Sequence, residues 1–187
     1  TTQALILTPT RELARQVGDV FHDLSKGSGL RVTLLYGGVA YGPQEKALQN
    51  GTHVVVGTPG RVLDHLRRRT MRIDNLQIMI LDEADEMLDR GFAPDVERIL
   101  AMTPRSRQTA LFSATTPDWV QRIAAKHQND PAIVNSESTE EDEPDIDQVV
   151  MEVYREDKFQ VLVRLLKEEL DGTTVVFGRT KHGVRNI

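Results

Sequence analysis

Short apolar runs alternate with longer amphipathic stretches along most of the chain. Between the runs, apolar side chains recur every three or four residues, which indicates helices. The runs themselves are almost continuously apolar, as expected for strands covered on both faces. The alternation predicts an α/β domain with a parallel sheet and helices on both faces. The predicted strands are Ala4–Thr8, Arg31–Tyr36, His53–Gly57, Gln77–Leu81, Thr109–Phe112 and Ala132–Val134, and the predicted helices are Arg11–Leu24, Gln44–Gln49, Gly60–Arg68, Ala93–Ala101 and Pro117–Lys126.

Residues 136–147, SESTEEDEPDID, interrupt this alternation with seven acids and a single apolar residue, Ile146. Such a segment cannot bury enough apolar surface to fold alone, and it is typical of a flexible linker. A new cycle follows it, with a strand near Gln148–Tyr154, a helix near Lys158–Leu170 and a strand at Thr174–Phe177. We therefore expect a first domain over residues 1–135, an acidic linker over 136–147 and the start of a second domain over 148–187.

The net charge of −5 resides in the acidic segment, which carries −7, whereas residues 1–135 and 148–187 each carry +1. The acidic average therefore does not argue against a nucleic-acid partner. The chain contains no cysteine, which excludes disulfides and thiolate metal sites. It has neither an apolar run of membrane-spanning length nor a leader pattern at Thr1. We expect a cytoplasmic protein with no membrane partner.

The tetrad Asp82-Glu83-Ala84-Asp85 follows the apolar run Ile78–Leu81. Open α/β sheets bind ligands at the carboxyl ends of their strands, where these carboxylates would lie. One carboxylate can hold a hydrated Mg²⁺ while its neighbour orients a water molecule. Alternatively, the acids merely begin the next helix, where negative charge suits the helix dipole. The tetrad alone leaves both interpretations open.

Ser113 and Thr115 end another apolar strand and would emerge at the same edge of the sheet. Hydroxyl groups bond readily to carboxylate oxygens, so both side chains are candidates to contact the tetrad. The alternative is that they cap the helix predicted to begin near Pro117.

Two similar tetrapeptides, Thr8-Pro9-Thr10-Arg11 and Thr58-Pro59-Gly60-Arg61, each link a predicted strand to a helix. Backbone N–H groups at a helix start, beside an arginine, favour phosphate. Either tetrapeptide alone can be an ordinary turn, but two at one sheet edge favour a phosphate-bearing polymer.

The pair Gly37-Gly38 allows close backbone approach or a positive φ, and it also suits a tight turn.

The motifs PTRELA at Pro9–Ala14, GG at Gly37-Gly38, TPGR at Thr58–Arg61, DEAD at Asp82–Asp85 and SAT at Ser113–Thr115 occur in this order. The ordered set resembles the DEAD-box family of ATP-dependent RNA helicases. VVFGRTK at Val175–Lys181 is similar to the first motif of that family's second domain. The resemblance implies an N-terminal RecA-like domain, a flexible linker and the start of a second RecA-like domain, which close over ATP and single-stranded RNA.

The resemblance also implies roles for individual residues. Asp82 would bind Mg²⁺ through water, and Glu83 would position the water that attacks the γ-phosphate of ATP. Asp85, Ser113 and Thr115 would couple the nucleotide state to domain closure and RNA binding. Contacts to the RNA backbone carry little sequence preference. The residues implied for them are Pro9, Thr10, Arg11, Gly37, Gly38, Thr58, Pro59, Gly60 and Arg61.

The phosphate loop of the family, G-x-x-x-x-G-K-[ST], is absent from the 187 residues. In the family this loop precedes the PTRELA motif, so the resemblance implies an internal piece that lacks the loop and the first strand of the domain. Because phosphoryl transfer depends on positioning the phosphates, we expect these residues alone to show no appreciable ATPase or unwinding activity. We also expect an unfilled slot in the sheet that invites self-association through strand edges.

Two other functions fit the same motifs. The chain can be a non-catalytic module that binds the RNA backbone, or part of a related ATPase that acts on DNA.

Overall fold

The computed structural model describes residues 1–135, 146–168 and 172–185. The chain divides into two compact units, Thr1–Ile133 and Val134–Ile187. The first unit contains five strands and six helices among its described residues. The strands are β1 Ala4–Leu7, β2 Val32–Leu35, β3 Val54–Gly57, β4 Ile78–Leu81 and β5 Gln108–Leu111, and the helices are α1 Arg11–Ser25, α2 Tyr41–Gln49, α3 Pro59–Arg67, α4 Ala84–Asp89, α5 Ala93–Ala101 and α6 Asp118–His127.

The five strands form one parallel sheet in the order β2-β3-β1-β4-β5. Their last residues are in register, since Leu7 lies opposite both Gly57 and Leu81, and Leu81 lies opposite Leu111. The carboxyl ends of all five strands therefore meet at one edge. The prediction of a parallel α/β sheet is confirmed.

Both faces of the sheet are covered, which explains the continuous apolar runs. Successive residues of a strand point to opposite faces. Leu5 and Leu7 of β1 are fully buried with residues of α3, α5 and α6, whereas Ile6 packs on the other face with Ala14 of α1. Burying such a side chain contributes roughly 1.5–3 kcal/mol, so alternate residues of one strand stabilise two separate layers.

Two helices of the first unit differ from the sequence prediction by more than a one-residue shift at an end. Helix α2 begins at Tyr41 rather than Gln44, because Pro43 lies in its first turn, where a missing backbone N–H costs nothing. Helix α4 was not predicted as a separate element, since six residues are too few to display a helical period.

Three predicted strands do not form. Residues Ala132–Val134 lie exposed and unpaired with any described strand, and the same holds for most of 148–154 and for 174–177. A β-strand is stabilised by a hydrogen-bonded neighbour, so apolar residues alone do not suffice.

The described strands pair without an internal gap, so the expected slot does not lie between them. β5 instead forms one edge of the sheet.

The second unit contains α7 Lys158–Glu168 and α8 Lys181–Arg185 among its described residues. Residues 136–145 of the predicted linker and residues 169–170 of the predicted helix lie outside the described residues. The predicted domain limits thus remain predictions. In the parts of the chain that the structure describes, no helix combines the length and the apolar character needed to cross a membrane.

Candidate functional site at the carboxyl edge of the sheet

Asp85 connects the segment that follows β4 with the segment that follows β5. The backbone N–H and the hydroxyl of Thr115 donate to Asp85 Oδ2 at 2.9 and 2.8 Å. The backbone N–H of Asp85 donates to Ser113 Oγ at 3.2 Å, and the N–H of Glu86 donates to Asp85 Oδ1 at 3.1 Å. The structure thus brings together the carboxylate and the two hydroxyls that the sequence placed at one edge.

The hydrogen bonds at Asp85 keep its carboxylate charged. Burial alone raises the pKa of Asp85, but the bonds that involve Thr115, Glu86 and Ser113 outweigh burial and lower the pKa below its ordinary value. Asp85 is therefore an anion at neutral pH and holds the Thr115 segment by charge-assisted hydrogen bonds.

Glu83 has an unusual backbone and an exposed side chain. Its φ of 52° and ψ of 57° lie in the left-handed region, which costs a non-glycine residue about 1–2 kcal/mol. It makes no side-chain capping bond to α4, so it does not act as an ordinary helix cap. Its side chain lines a groove of about 540 Å³ that Thr10, Asp85, Thr115 and Arg90 also line. Strain at an exposed acid in a groove is typical of a functional position.

Asp82 does not share the groove of Glu83. It is half-buried and lines a smaller cavity of about 290 Å³ with apolar side chains that include Ile6, Phe21 and Phe112. Among the described residues, no cluster of three or more His, Asp or Glu side chains could hold a metal ion. Mg²⁺ commonly takes one or two carboxylates and completes its shell with water and substrate phosphates. Asp82 can supply one such carboxylate, but the 187 residues lack the phosphate-loop sequence that would hold the triphosphate.

A second groove, of about 600 Å³, collects most of the residues predicted to contact RNA. Thr10 and Arg90 line both this groove and the groove of Glu83, so the two adjoin at the same sheet edge. Of the nine predicted residues, Gly38 and Pro59 are not in its lining. The lining consists of Pro9, Thr10, Arg11, Glu12, Gly37, Thr58, Gly60, Arg61, Asp64, Arg90 and Phe92.

The two tetrapeptides begin their helices differently. Helix α1 starts at Arg11, and Thr10 caps it by accepting a hydrogen bond from the N–H of Leu13 at 3.1 Å. Helix α3 starts at Pro59, and Thr58 makes no side-chain capping bond. Pro9 therefore precedes α1, whereas Pro59 is the first residue of α3. Both helix starts nevertheless line the same groove.

Gly38 is required by the position of Arg11. Its φ is +77°, and a Cβ at this position would collide with the Arg11 guanidinium. The glycine pair thus provides the surface against which the Arg11 side chain lies. The positive φ that the glycine pair allows is therefore observed at Gly38, whereas close approach of an RNA backbone stays a prediction.

The Arg61 guanidinium is held by neighbours that sequence reasoning missed. Its two terminal nitrogens donate to the Val39 carbonyl oxygen, each at 3.1 Å, and Nη1 also donates to Gln44 Oε1 at 3.0 Å. Its Cζ lies 4.0 Å from the centroid of the Tyr41 ring, a cation–π distance. No local pattern marks Gln44 or Tyr41, because their contacts with Arg61 depend on how α2 and α3 pack.

Comparisons with known proteins agree with these motifs. The DEAD/DEAH box helicase family model matches residues 1–123. The DEAD-box ATP-dependent RNA helicase CshA of Geobacillus kaustophilus is 45% identical over 185 residues, which cover 99% of this chain and 40% of that protein. The ATP-dependent RNA helicase DeaD of Haemophilus influenzae is 46% identical over 186 residues, which cover 99% of this chain and 30% of that protein.

A solved structure supports the same assignment. The crystal structure of a DEAD box protein from the hyperthermophile Methanococcus jannaschii matches with a TM-score of 0.71 at 44% identity, covering 89% of this chain and 45% of that one. The RecA-like fold class is thereby confirmed. The chain spans 30–45% of the length of these three proteins. The family match over residues 1–123, together with the motifs gathered at one sheet edge, shows that the chain belongs to the DEAD/DEAH box helicase family.

Proposed function

We propose that the chain is part of an ATP-dependent RNA helicase and that its groove at the carboxyl edge binds the backbone of single-stranded RNA. The observation that carries this proposal is the convergence of Arg11, Arg61 and the starts of α1 and α3 on one groove. Guanidinium groups and helix-start N–H groups are common ligands of nucleic-acid phosphates. Contacts of this kind position a strand without reading its bases, so the sequence preference should be weak.

The same edge offers a route between RNA and nucleotide. Thr10 lines both grooves, and Asp85 ties the segment after β4 to Thr115. A movement of Glu83 or Thr115 would therefore displace groups beside Thr10, where RNA would bind. We propose that Asp85, Ser113 and Thr115 couple the two grooves in this way.

Asp82 would hold Mg²⁺ through water, and Glu83 would orient a water molecule from its exposed position. When bound, Mg²⁺ supplies positive charge that offsets the negative charge of the phosphates. The 187 residues contain no phosphate-loop sequence to position ATP. We therefore propose that this polypeptide binds RNA but has no appreciable ATPase activity by itself. A cytoplasmic location also remains a prediction.

RNA binding can be tested by fluorescence anisotropy with a labelled single-stranded RNA and a DNA of the same sequence. We expect Arg11→Ala and Arg61→Ala each to weaken RNA binding by about tenfold, since a charged hydrogen bond contributes about 1.5 kcal/mol or more. Arg72→Ala is the matched control, because Arg72 is exposed, pairs with Asp74 and lies outside the groove. Equal losses for all three variants would show unspecific charge attraction. Tighter binding of DNA than RNA would favour the alternative of a DNA-dependent ATPase.

ATP turnover can be measured as phosphate release with saturating RNA. We expect no release above the rate of a Glu83→Gln control. RNA-stimulated turnover by the wild-type chain, abolished by Glu83→Gln, would overturn the proposal that these residues are inactive alone.

We also propose that the chain self-associates through the edge of β5. Residues Gln108–Leu111 are not fully buried, and Phe112 directly after them is 56% exposed. Exposed strand edges beside apolar side chains favour pairing between copies. Light scattering over a wide concentration range should show a mass that rises with concentration, and a constant monomer mass would contradict this proposal.

A further inference from the structure

We infer that Gln44 is a positioning residue for RNA binding, because it helps to hold the guanidinium of Arg61, a groove residue, with one bidentate edge left unpaired. This inference rests on the proposed function of the groove. Gln44 itself does not line the groove and would not touch RNA. Its effect would pass through Arg61.

Gln44 is a buried polar side chain whose amide nitrogen and amide oxygen both form hydrogen bonds. It is 6% exposed, although it belongs to a short helix on the surface of the unit. Its Nε2 donates to the Tyr36 carbonyl oxygen at 3.1 Å. Its Oε1 accepts from Arg61 Nη1 at 3.0 Å and lies 3.0 Å from His65 Nε2. One amide thus ties the residue after β2 to two side chains of α3.

The Tyr36 carbonyl and the Arg61 guanidinium fix the orientation of that amide, and the orientation in turn sets the proton position on His65. Because Gln44 presents its oxygen to His65, Nε2 of the ring must carry the proton and donate. Nδ1 then accepts from the Thr70 hydroxyl at 2.7 Å, a shorter contact than the 3.2 Å from the same hydroxyl to the His65 carbonyl oxygen. The ring is fully buried, and burial, followed by the nearby Arg61 charge, lowers the pKa of His65. A neutral ring with both nitrogens bonded thus gives the Gln44 oxygen a second donor beside Arg61.

The contacts of Arg61 determine which of its donors remain. A guanidinium has five N–H groups. Nη1 uses both of its hydrogens, on Val39 and Gln44, and Nη2 uses one on Val39. Nε–H and the second Nη2–H have no acceptor among the described residues. These two donors lie side by side on one edge, which is the fork that binds a phosphate with two parallel hydrogen bonds.

Aromatic packing restricts the guanidinium further. The Tyr41 ring lies 4.0 Å from Arg61 Cζ, and the Tyr41 hydroxyl donates to Asp64 Oδ2 at 2.8 Å. The ring also packs edge-on against His65 at a centroid distance of 5.5 Å. The guanidinium is thus restricted by a ring face, a carbonyl and an amide. Such preorganisation reduces the entropy lost when phosphate binds.

The test replaces Gln44 by Met, which has a similar shape and no strong acceptor, in the full 187-residue chain. We expect RNA affinity to fall about tenfold. Gln49→Met is the matched control, since Gln49 lies exposed at the end of the same helix. The loss should depend on the guanidinium, so Gln44→Met should have less than about a twofold effect in an Arg61→Lys background.

A second variant and a spectroscopic readout guard against loss of folding. Gln44→Asn retains the amide but is one methylene too short to reach Arg61 and His65 together, and it should weaken binding similarly. Thermal unfolding should show that the variants used are folded at the assay temperature. Nuclear magnetic resonance of the Arg61 guanidinium nitrogens should show faster rotation about the Cζ–Nη bonds in Gln44→Asn than in wild type, without RNA present.

The outcomes separate this inference from the proposed function. If Arg61→Ala weakens RNA binding while Gln44→Met and Gln44→Asn behave like Gln49→Met, the positioning role is overturned and the RNA groove stands. If Gln44→Met costs as much in the Arg61→Lys background as in wild type, Gln44 acts through general packing, and the inference also fails. If Arg61→Ala leaves RNA binding unchanged, the proposed groove is overturned, and this inference with it.

Discussion

Replacing Thr115 by Val removes its hydroxyl bond to Asp85 Oδ2 while preserving the shape of the side chain. The backbone N–H of Thr115 still donates to the same oxygen at 2.9 Å, so the two segments stay connected. A hydrogen bond to a charged group contributes about 1.5–3 kcal/mol when sheltered. Thr115 is exposed and water can replace its hydroxyl, so we expect a loss of about 1 kcal/mol in the free energy of unfolding.

The loss can be measured by thermal unfolding followed through the fluorescence of Trp119. Trp119 is the sole tryptophan and is buried in the first unit, so its signal reports on that unit. A loss of about 1 kcal/mol corresponds to a midpoint lower by about 3–5 °C. Thr116→Val is the matched control, because the same hydroxyl is removed from the adjacent exposed residue.

The penalty should depend on pH in a defined direction. The folded-state pKa of Asp85 is below its unfolded value, so its charged contacts stabilise the fold above the unfolded pKa of about 3.8 and are lost as pH falls through the folded pKa. The gap between wild type and Thr115→Val should therefore be full at neutral pH and shrink as the pH falls below about 3.8 and through the folded pKa of Asp85. Equal unfolding midpoints for Thr115→Val and Thr116→Val at neutral pH would refute this reasoning. A difference between wild type and Thr115→Val that does not change with pH would refute it as well.

Three other substitutions test particular features. Gly38→Ala places a Cβ at positive φ against Arg11 and should lower the free energy of unfolding in urea by about 1–2 kcal/mol. Gly42→Ala is the control, because a Cβ there meets open space within α2, and it should stabilise by up to about 1 kcal/mol. Equal effects of the two substitutions would contradict the close packing of Arg11 on Gly38. Glu83→Gly should raise the unfolding free energy by about 1 kcal/mol through relief of left-handed strain, and a lower midpoint would show that the backbone is not strained. Arg107→Met should leave the free energy of unfolding unchanged or raise it, since burial lowers the pKa of Arg107 and its Nε and Nη2 find no acceptor among the described residues. A loss of more than about 2 kcal/mol in that free energy would show that the charge is satisfied.

The sheet could be predicted because its strands are local apolar runs with both faces buried. Leu5, Ile6 and Leu7 pack into two different layers, so no polar residue interrupts them. The same reasoning failed at Ala132–Val134 and Thr174–Phe177, which are equally apolar but have no pairing partner among the described residues. Apolar character shows that a segment can be buried, whereas a strand also needs a neighbouring backbone.

The motifs predicted which residues meet at the edge, but not how each is oriented. Asp85 and Thr115 pair as the hydroxyl chemistry indicated. Asp82 and Glu83 are adjacent in sequence yet line different cavities, because the left-handed backbone at Glu83 turns the chain directly after β4. Gln44 could not be found from sequence, since a buried glutamine in an amphipathic stretch becomes informative only when its distant partners are known.

Photo-crosslinking with a 4-thiouridine-substituted single-stranded RNA, followed by peptide mapping, tests the central claim most directly. The account predicts crosslinks in Pro9–Arg11, Gly37–Val39 and Thr58–Arg61, reduced in Arg61→Ala and retained in Arg72→Ala. Crosslinks confined to other surfaces, or unchanged by Arg61→Ala, would contradict the claim that the carboxyl edge of the sheet binds RNA.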